Sequence, residues 1–258
     1  MTSDIVRRIG QFEPVPHLGR ERSERHYREV HTRFARRMFR EKSPLLRLYA
    51  TNVAMAQYDI AGTFHQSPSA WRFVMSEVAA SLLEAGGDSD AAGWLPEENQ
   101  NLTWRDHLNC LCNIRAYEVT QTVLHSNPRA RPSSTKFVAL IESTGDEARG
   151  EEIYQDTHLP GLEKELLDAF GLVFAASNVI ERQLETAPVE YPGQMFTGGY
   201  VTASPRIAIE EFYFDNADWG YEFFAREPIY ALYHRDAVLS TEVYEVEEDI
   251  GLARSDET

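Results

Sequence analysis

Ile153-Tyr154-Gln155-Asp156-Thr157-His158 repeats the pattern of an earlier stretch, His26-Tyr27-Arg28-Glu29-Val30-His31. In both, a tyrosine stands four residues before a histidine, and the offset is 158 − 31 = 127. Downstream, Leu48-Tyr49-Ala50-Thr51-Asn52-Val53 is matched by Phe174-Ala175-Ala176-Ser177-Asn178-Val179, at an offset of 178 − 52 = 126. Further on, Glu118-Val119 pairs with Glu242-Val243, at 242 − 118 = 124. Three matches in the same order at a nearly constant offset indicate an internal duplication.

The seam between the copies is the Pro-, Ser- and Asn-rich run Asn127 to Thr135, which reads as a linker. It separates module 1 (residues 1–126) from module 2 (136–249), and 250–258 reads as an acidic tail. Module 2 begins with a strand over Phe137–Glu142 and a helix over Glu147–Thr157. Pro160-Gly161 is expected to interrupt before a second helical piece, Leu162–Phe170, closed by Gly171. Strands then read over Leu172–Gln183 and Tyr200–Phe214, a broken helix over Asp218–His234, and a last strand over Ala237–Glu247. Module 1 follows the same order: a weak strand within Ile5–Phe12, a helix over Glu21–Arg40, and strands over Leu45–Tyr58 and Trp71–Val78. A short helix over Thr103–Leu111 and a strand over Asn113–Leu124 complete it, and 83–102 reads as an inserted surface loop. The order βαββαβ is ferredoxin-like. Such a sheet leaves one face bare, so two in one chain are expected to cover each other as an intrachain α+β barrel, with a ligand cavity between them.

The 258 residues are 43% hydrophobic and 26% charged, as in ordinary globular proteins. No apolar run reaches the roughly 18–20 residues that cross a bilayer, and Met1 to Ile9 has no apolar signal core, so a cytoplasmic, membrane-free location is expected. A net charge of −16 speaks against nucleic acid as partner, because phosphate binding needs a basic footprint. A homodimer stays open. Cys110 and Cys112, the two cysteines, read as small buried apolar residues. His26, His65, His107, His125 and His234 have no metal-ligand spacing with neighbouring carboxylates, so no metal is expected. There is no phosphate-binding glycine loop, dinucleotide fingerprint or nucleophile elbow.

Tyr154-Gln155-Asp156-Thr157-His158-Leu159-Pro160 resembles the signature of the EthD-like family, a branch of the dimeric α+β barrel superfamily. The resemblance continues in order through Asn178, Phe212-Tyr213-Phe214 and Glu242-Val243; it is looser in module 1, where Thr32-Arg33 replaces Leu159-Pro160. It implies a pocket for a small, often aromatic molecule. The superfamily includes cofactor-independent monooxygenases, isomerases, cyclases, dehydratases and haem-binding members, so the fold implies a place and not a reaction.

Within that frame His158 and His31 are the general acid/base candidates, since imidazole titrates near neutrality. His158, at the expected helix break, is favoured. Asn178 and Asn52 sit on otherwise apolar strand faces, where a buried amide needs a partner or a ligand, and could hold a developing oxyanion. Tyr154 and Tyr27 lie one turn before the histidines. Tyr213, Trp219, Glu242 and Glu118 complete the candidate substrate-binding set. The expected function is a cofactor-free lyase, dehydratase or isomerase acting on a small aromatic or hydrophobic metabolite. The alternatives are a cofactor-free monooxygenase or a non-catalytic binding protein. Haem, which would need a cavity-facing histidine, is the minor cofactor option.

Overall fold

A computed structural model describes residues 5–42, 46–59, 62–80, 102, 105–107, 109–127, 134–184, 205–234 and 238–254. In the first half, β1 (Ile5–Pro14) leads into a long helix built of α1 (Gly19–His26), a π-helical turn (Tyr27–His31) and α2 (Thr32–Lys42). Strands β2 (Leu46–Tyr58), β3 (Phe64–His65), β4 (Arg72–Ala79) and β5 (Leu111–Ser126) follow. The second half has β6 (Thr135–Ser143), then α3 (Glu147–Ile153), a second π turn (Tyr154–His158) and α4 (Leu159–Leu166). It ends with β7 (Leu172–Leu184), β8 (Arg206–Phe214), α5 (Ala217–Ala225), α6 (Glu227–His234) and β9 (Leu239–Ala253).

The strands pair in the orders β2-β4-β1-β5 and β7-β8-β6-β9, the ferredoxin-like arrangement in each half. Pairings β5–β7 and β2–β9 join the two sheets along both edges, and all are antiparallel, so eight strands close into one barrel within the chain. The fold is α+β. Among the described residues closure leaves no long unpaired edge.

Three cores result. One lies between the sheet of the second half and its helices, with Phe137, Phe212, Phe214 and Phe224 at its centre. A second lies under α1 and α2, around Tyr27, Phe39 and Trp71. The third, Ile9, Phe73, Met75, Tyr117, Val138, Ile209 and Tyr244 among others, draws on the strands and the adjoining Ala70 and fills the barrel. An eight-stranded barrel is about wide enough to be filled by its own side chains. The space expected to be a ligand cavity is therefore largely packed among the described residues.

Local chemistry explains most element boundaries. Asp146 accepts from the Ala148 amide at the start of α3, and Asn216 accepts from the Trp219 amide at the start of α5. Gly171 takes φ +69 where the chain leaves the helix for β7, a conformation that costs glycine little. Three expectations need correction. Pro160-Gly161 does not interrupt the helix: Pro160 follows directly on the π turn, and α4 runs on through Gly161 to Leu166. Residues 250–253 of the expected acidic tail are strand, since β9 runs to Ala253 and pairs with β2 over Leu48 to Tyr58. Leu111 belongs to β5, and helix is described at 105–107. The proposed insertion, except residue 102, and the part of the strand before Pro205 lie outside the described residues.

Candidate functional site

Both Tyr-x-x-x-His motifs sit in π turns, whose hydrogen bonds span five residues (Leu159 N–H to Tyr154 O; Thr32 N–H to Tyr27 O). Each turn aims its tyrosine and histidine at the sheet, and all four side chains are buried. In the second half this creates a polar cluster in an apolar layer. Glu210, fully buried on β8, accepts from His158 Nε2 at 3.0 Å, from Tyr154 Oη at 3.0 Å and from Tyr233 Oη on α6. Tyr154 Oη also lies 2.7 Å from Ser177 Oγ. The His158 ring stacks on Tyr154 (5.2 Å between centroids) and meets Tyr233 edge-on at 5.0 Å. Burial, followed by the Glu210 charge, pushes the Tyr154 and Tyr233 hydroxyls well above their ordinary range, so both stay neutral donors. His158 Nδ1 is buried and has no hydrogen-bond partner.

The first half places its motif alike and partners it differently. The strand registers set Asn52 opposite Phe73 and Asn178 opposite Ile209, so Val74 stands where the second half has Glu210. His31 finds its carboxylate elsewhere: Nδ1 contacts Asp106 Oδ2 at 2.5 Å, while His26 Nε2 contacts Asp106 Oδ1 at 2.8 Å. Both imidazoles hold the Asp106 carboxyl below its ordinary value although burial alone would raise it. Tyr27 Oη meets Tyr49 Oη at 3.2 Å, and the Arg72 guanidinium lies 3.8 Å above the Tyr27 ring.

Asn178 and Asn52 face the opposite side of the sheet, into the barrel. Asn178 Nδ2 donates to Ile209 O (2.9 Å) and Glu211 Oε1 (3.0 Å), and Gln121 donates to its Oδ1. Asn52 Nδ2 approaches Met75 Sδ and Phe73 O in the same way. Glu211 is bound by Arg7 at 2.6 Å and Lys136 at 2.8 Å, and Lys136 reaches Glu248 at 2.6 Å, which accepts from Tyr213. His158 and Asn178 therefore lie on opposite faces of one sheet and cannot act on one bound molecule from these positions. Tyr213 belongs to the interior network, and Trp219 packs against Phe170 beside Gly171. Glu118 faces outward to Arg182 and Arg8. Glu118 and Glu242 are not equivalent positions. Ile9 is opposite both Met75 and Tyr117, and Val138 is opposite both Glu211 and Tyr244, which aligns Tyr117 with Tyr244 at 244 − 117 = 127. The repeated triplet is Tyr117-Glu118-Val119 and Tyr244-Glu245-Val246.

A groove of about 460 Å³ opens where the halves meet, lined by Gln57, Tyr58, Asp59, His65, Thr144, Tyr233 and Leu239–Glu242. Of the candidate residues, Glu242 borders it, and Tyr233 joins it to the Glu210–His158 cluster. Haem held through His158 does not fit these positions, since its Nε2 is taken by Glu210 and its ring is packed between two tyrosines. Sequence reading missed Glu210, Tyr233, Asp106 and Lys136. The one available signal was the acidic pair Glu210-Glu211 inside the otherwise apolar run Ile207 to Phe214. No described helix is long and apolar enough to cross a membrane.

No protein-family model and no curated protein matches the chain. Solved structures do. An anthrone oxidase-like protein aligns over 98% of both chains at 10% identity and TM-score 0.56. A monooxygenase candidate from Fusobacterium nucleatum aligns over 100% of both at 7% identity and TM-score 0.56. Another, from Lactobacillus acidophilus, aligns over 95% of this chain and 94% of its own at 8% identity and TM-score 0.50. At such identities the likeness is one of fold. The chain shares an α+β barrel architecture with these structures, with both halves of the barrel in one polypeptide.

Proposed function

We propose that this chain is a small-molecule enzyme that transfers protons at the groove bordered by Tyr58, His65, Tyr233 and Glu242, and that its reaction is the cofactor-free oxygenation of an aromatic substrate. The observation that carries this reading is Tyr233, which borders the groove and donates into the buried Glu210 carboxylate that also accepts from His158. A proton taken from the substrate would pass to the Tyr233 oxygen as the Tyr233 proton moves to Glu210, with His158 orienting the carboxylate. In an oxygenation, the substrate itself is the electron source. A methylene beside an aromatic ring becomes a carbonyl, one atom of O2 enters the product, and the other leaves with both hydrogens as water. The names of the structural neighbours favour this over the lyase, dehydratase or isomerase chemistry that the same proton transfer could serve. The parallel π turns and the Tyr117–Tyr244 register support reading the chain as a tandem duplication of an EthD-like module, with the second copy carrying the acid/base cluster.

The test is oxygen uptake with a panel of small phenols and compounds with benzylic methylenes. The reading expects one O2 consumed per product, with Tyr233→Phe lowering kcat by about 100-fold and KM changing little. Turnover without oxygen uptake would replace it with the lyase or isomerase reading, and saturable binding of the panel with no product would leave a carrier.

A further inference from the structure

The first half gathers a second cluster that the reaction above does not use. His26 Nε2, an Asp106 carboxylate oxygen and Cys110 Sγ all lie within 4.8 Å of one another. Cys110 is four residues after Asp106, and its thiol donates to the Asp106 carbonyl at 3.6 Å, the spacing of one helical turn. His26 comes from the end of α1, 80 residues away in sequence. His31 holds the other Asp106 oxygen at 2.5 Å, as an outer-sphere partner holds a metal-binding carboxylate in place. The carboxylate and His26 are partly exposed while Cys110 is buried, so the group has an approach from solvent and a dry floor.

We propose that His26, Asp106 and Cys110 form a binding site for a divalent transition-metal ion of the zinc class, with a fourth position open to water or an exogenous ligand. One nitrogen, one oxygen and one thiolate sulfur suit a borderline-soft ion and not calcium or magnesium. Bond lengths of about 2.0–2.3 Å to these atom types require ligand atoms to stand somewhat over 3 Å apart. His26 Nε2 and the Asp106 oxygen, now 2.8 Å apart, would open slightly to admit the ion, and all three ligand atoms already lie within 4.8 Å of one another. The cluster is not a requirement of the fold, because the residues 127 positions on are Ile153, Tyr233 and Ala237, none of them such a ligand set. The sequence concealed it because Asp106 meets His26 only after the chain has built β2 and β4.

The experiment titrates the chelator-stripped full chain with Co2+, then displaces it with Zn2+ in competition with a chromogenic chelator. The site predicts one equivalent of Co2+ with a thiolate-to-cobalt charge-transfer band. Cys110→Ser should abolish the band, and both it and His26→Gln should weaken Zn2+ by more than the roughly 10- to 100-fold expected for His31→Gln as an outer-sphere partner. Cys112→Ser should leave band and affinity unchanged, since its thiol faces Pro14 O instead. His26→Gln alters a partly exposed side chain, so its effect is readable should Cys110→Ser misfold. Absence of the charge-transfer band, or equal Zn2+ affinity in the wild type and His26→Gln, would overturn the site.

Discussion

Glu210 and Glu211 are adjacent on β8 and point to opposite sides of the sheet, so one carboxylate serves the helix layer and the other the barrel interior. Glu211 is the better guide to stability. Burial alone would raise its carboxyl, but Lys136 and then Arg7 hold it down at about 2 against an ordinary 4.5. A folded-state value below the unfolded one stabilises the fold above about pH 4.5, and the contribution is lost as pH falls towards 2. Its size is on the order of 3 kcal/mol. Glu211→Gln should cost about 3–5 kcal/mol at pH 7, because it leaves two buried cations short of a partner. It should also flatten the decline in urea midpoint between pH 6 and pH 3. An unchanged acid profile would show that the network does not carry the linkage. At this scale Glu211 was open to suspicion from the sequence as an acid in an apolar run, but its partners Arg7 and Lys136 were not, being 204 and 75 residues away.

Among the elements, the π turns decide where the motifs point. At about 100° per residue, residues five apart on an α-helix lie roughly 140° from one another. Yet His26 and His31 reach the two oxygens of one carboxylate, because the wider turn brings them to one side. The Tyr-to-His spacing was plain in the sequence; the extra width of the turn was not, since nothing in Tyr154–His158 separates π from α propensity. Helix α5 approaches β6 closely at Gly220, where an added Cβ would come within 2.1 Å of the Phe137 ring. Gly220→Ala should therefore destabilise by about 1–3 kcal/mol through overpacking. Gly145→Ala, which meets nothing within 4 Å, is the control. Equal thermal midpoints for the two variants would contradict this account of the helix–sheet contact.

At the level of the whole molecule, β9 is the seam that makes two sheets one barrel. Its last residues pair with β2, Asp249 with Thr51, Ile250 with Ala50 and Leu252 with Tyr49, and Glu248 supplies a partner for Lys136. A chain ending at Glu247 should lose at least about 3 kcal/mol, a fall of some 6–12 °C in Tm. Loss of less than 1 °C would restore the solvated-tail reading. The order βαββαβ in each half and the Tyr–His repeat were legible in the chain, because period-two and helical patterns and turn residues act over a few neighbours. The sequence by itself determined those elements and their order. Only the tertiary structure decided strand register, which side chains fill the barrel, and which carboxylate meets which histidine. Pairings such as Asp106 with His26 and Glu210 with His158 join residues 80 and 52 apart, and their geometry exists only after barrel closure has set every register together.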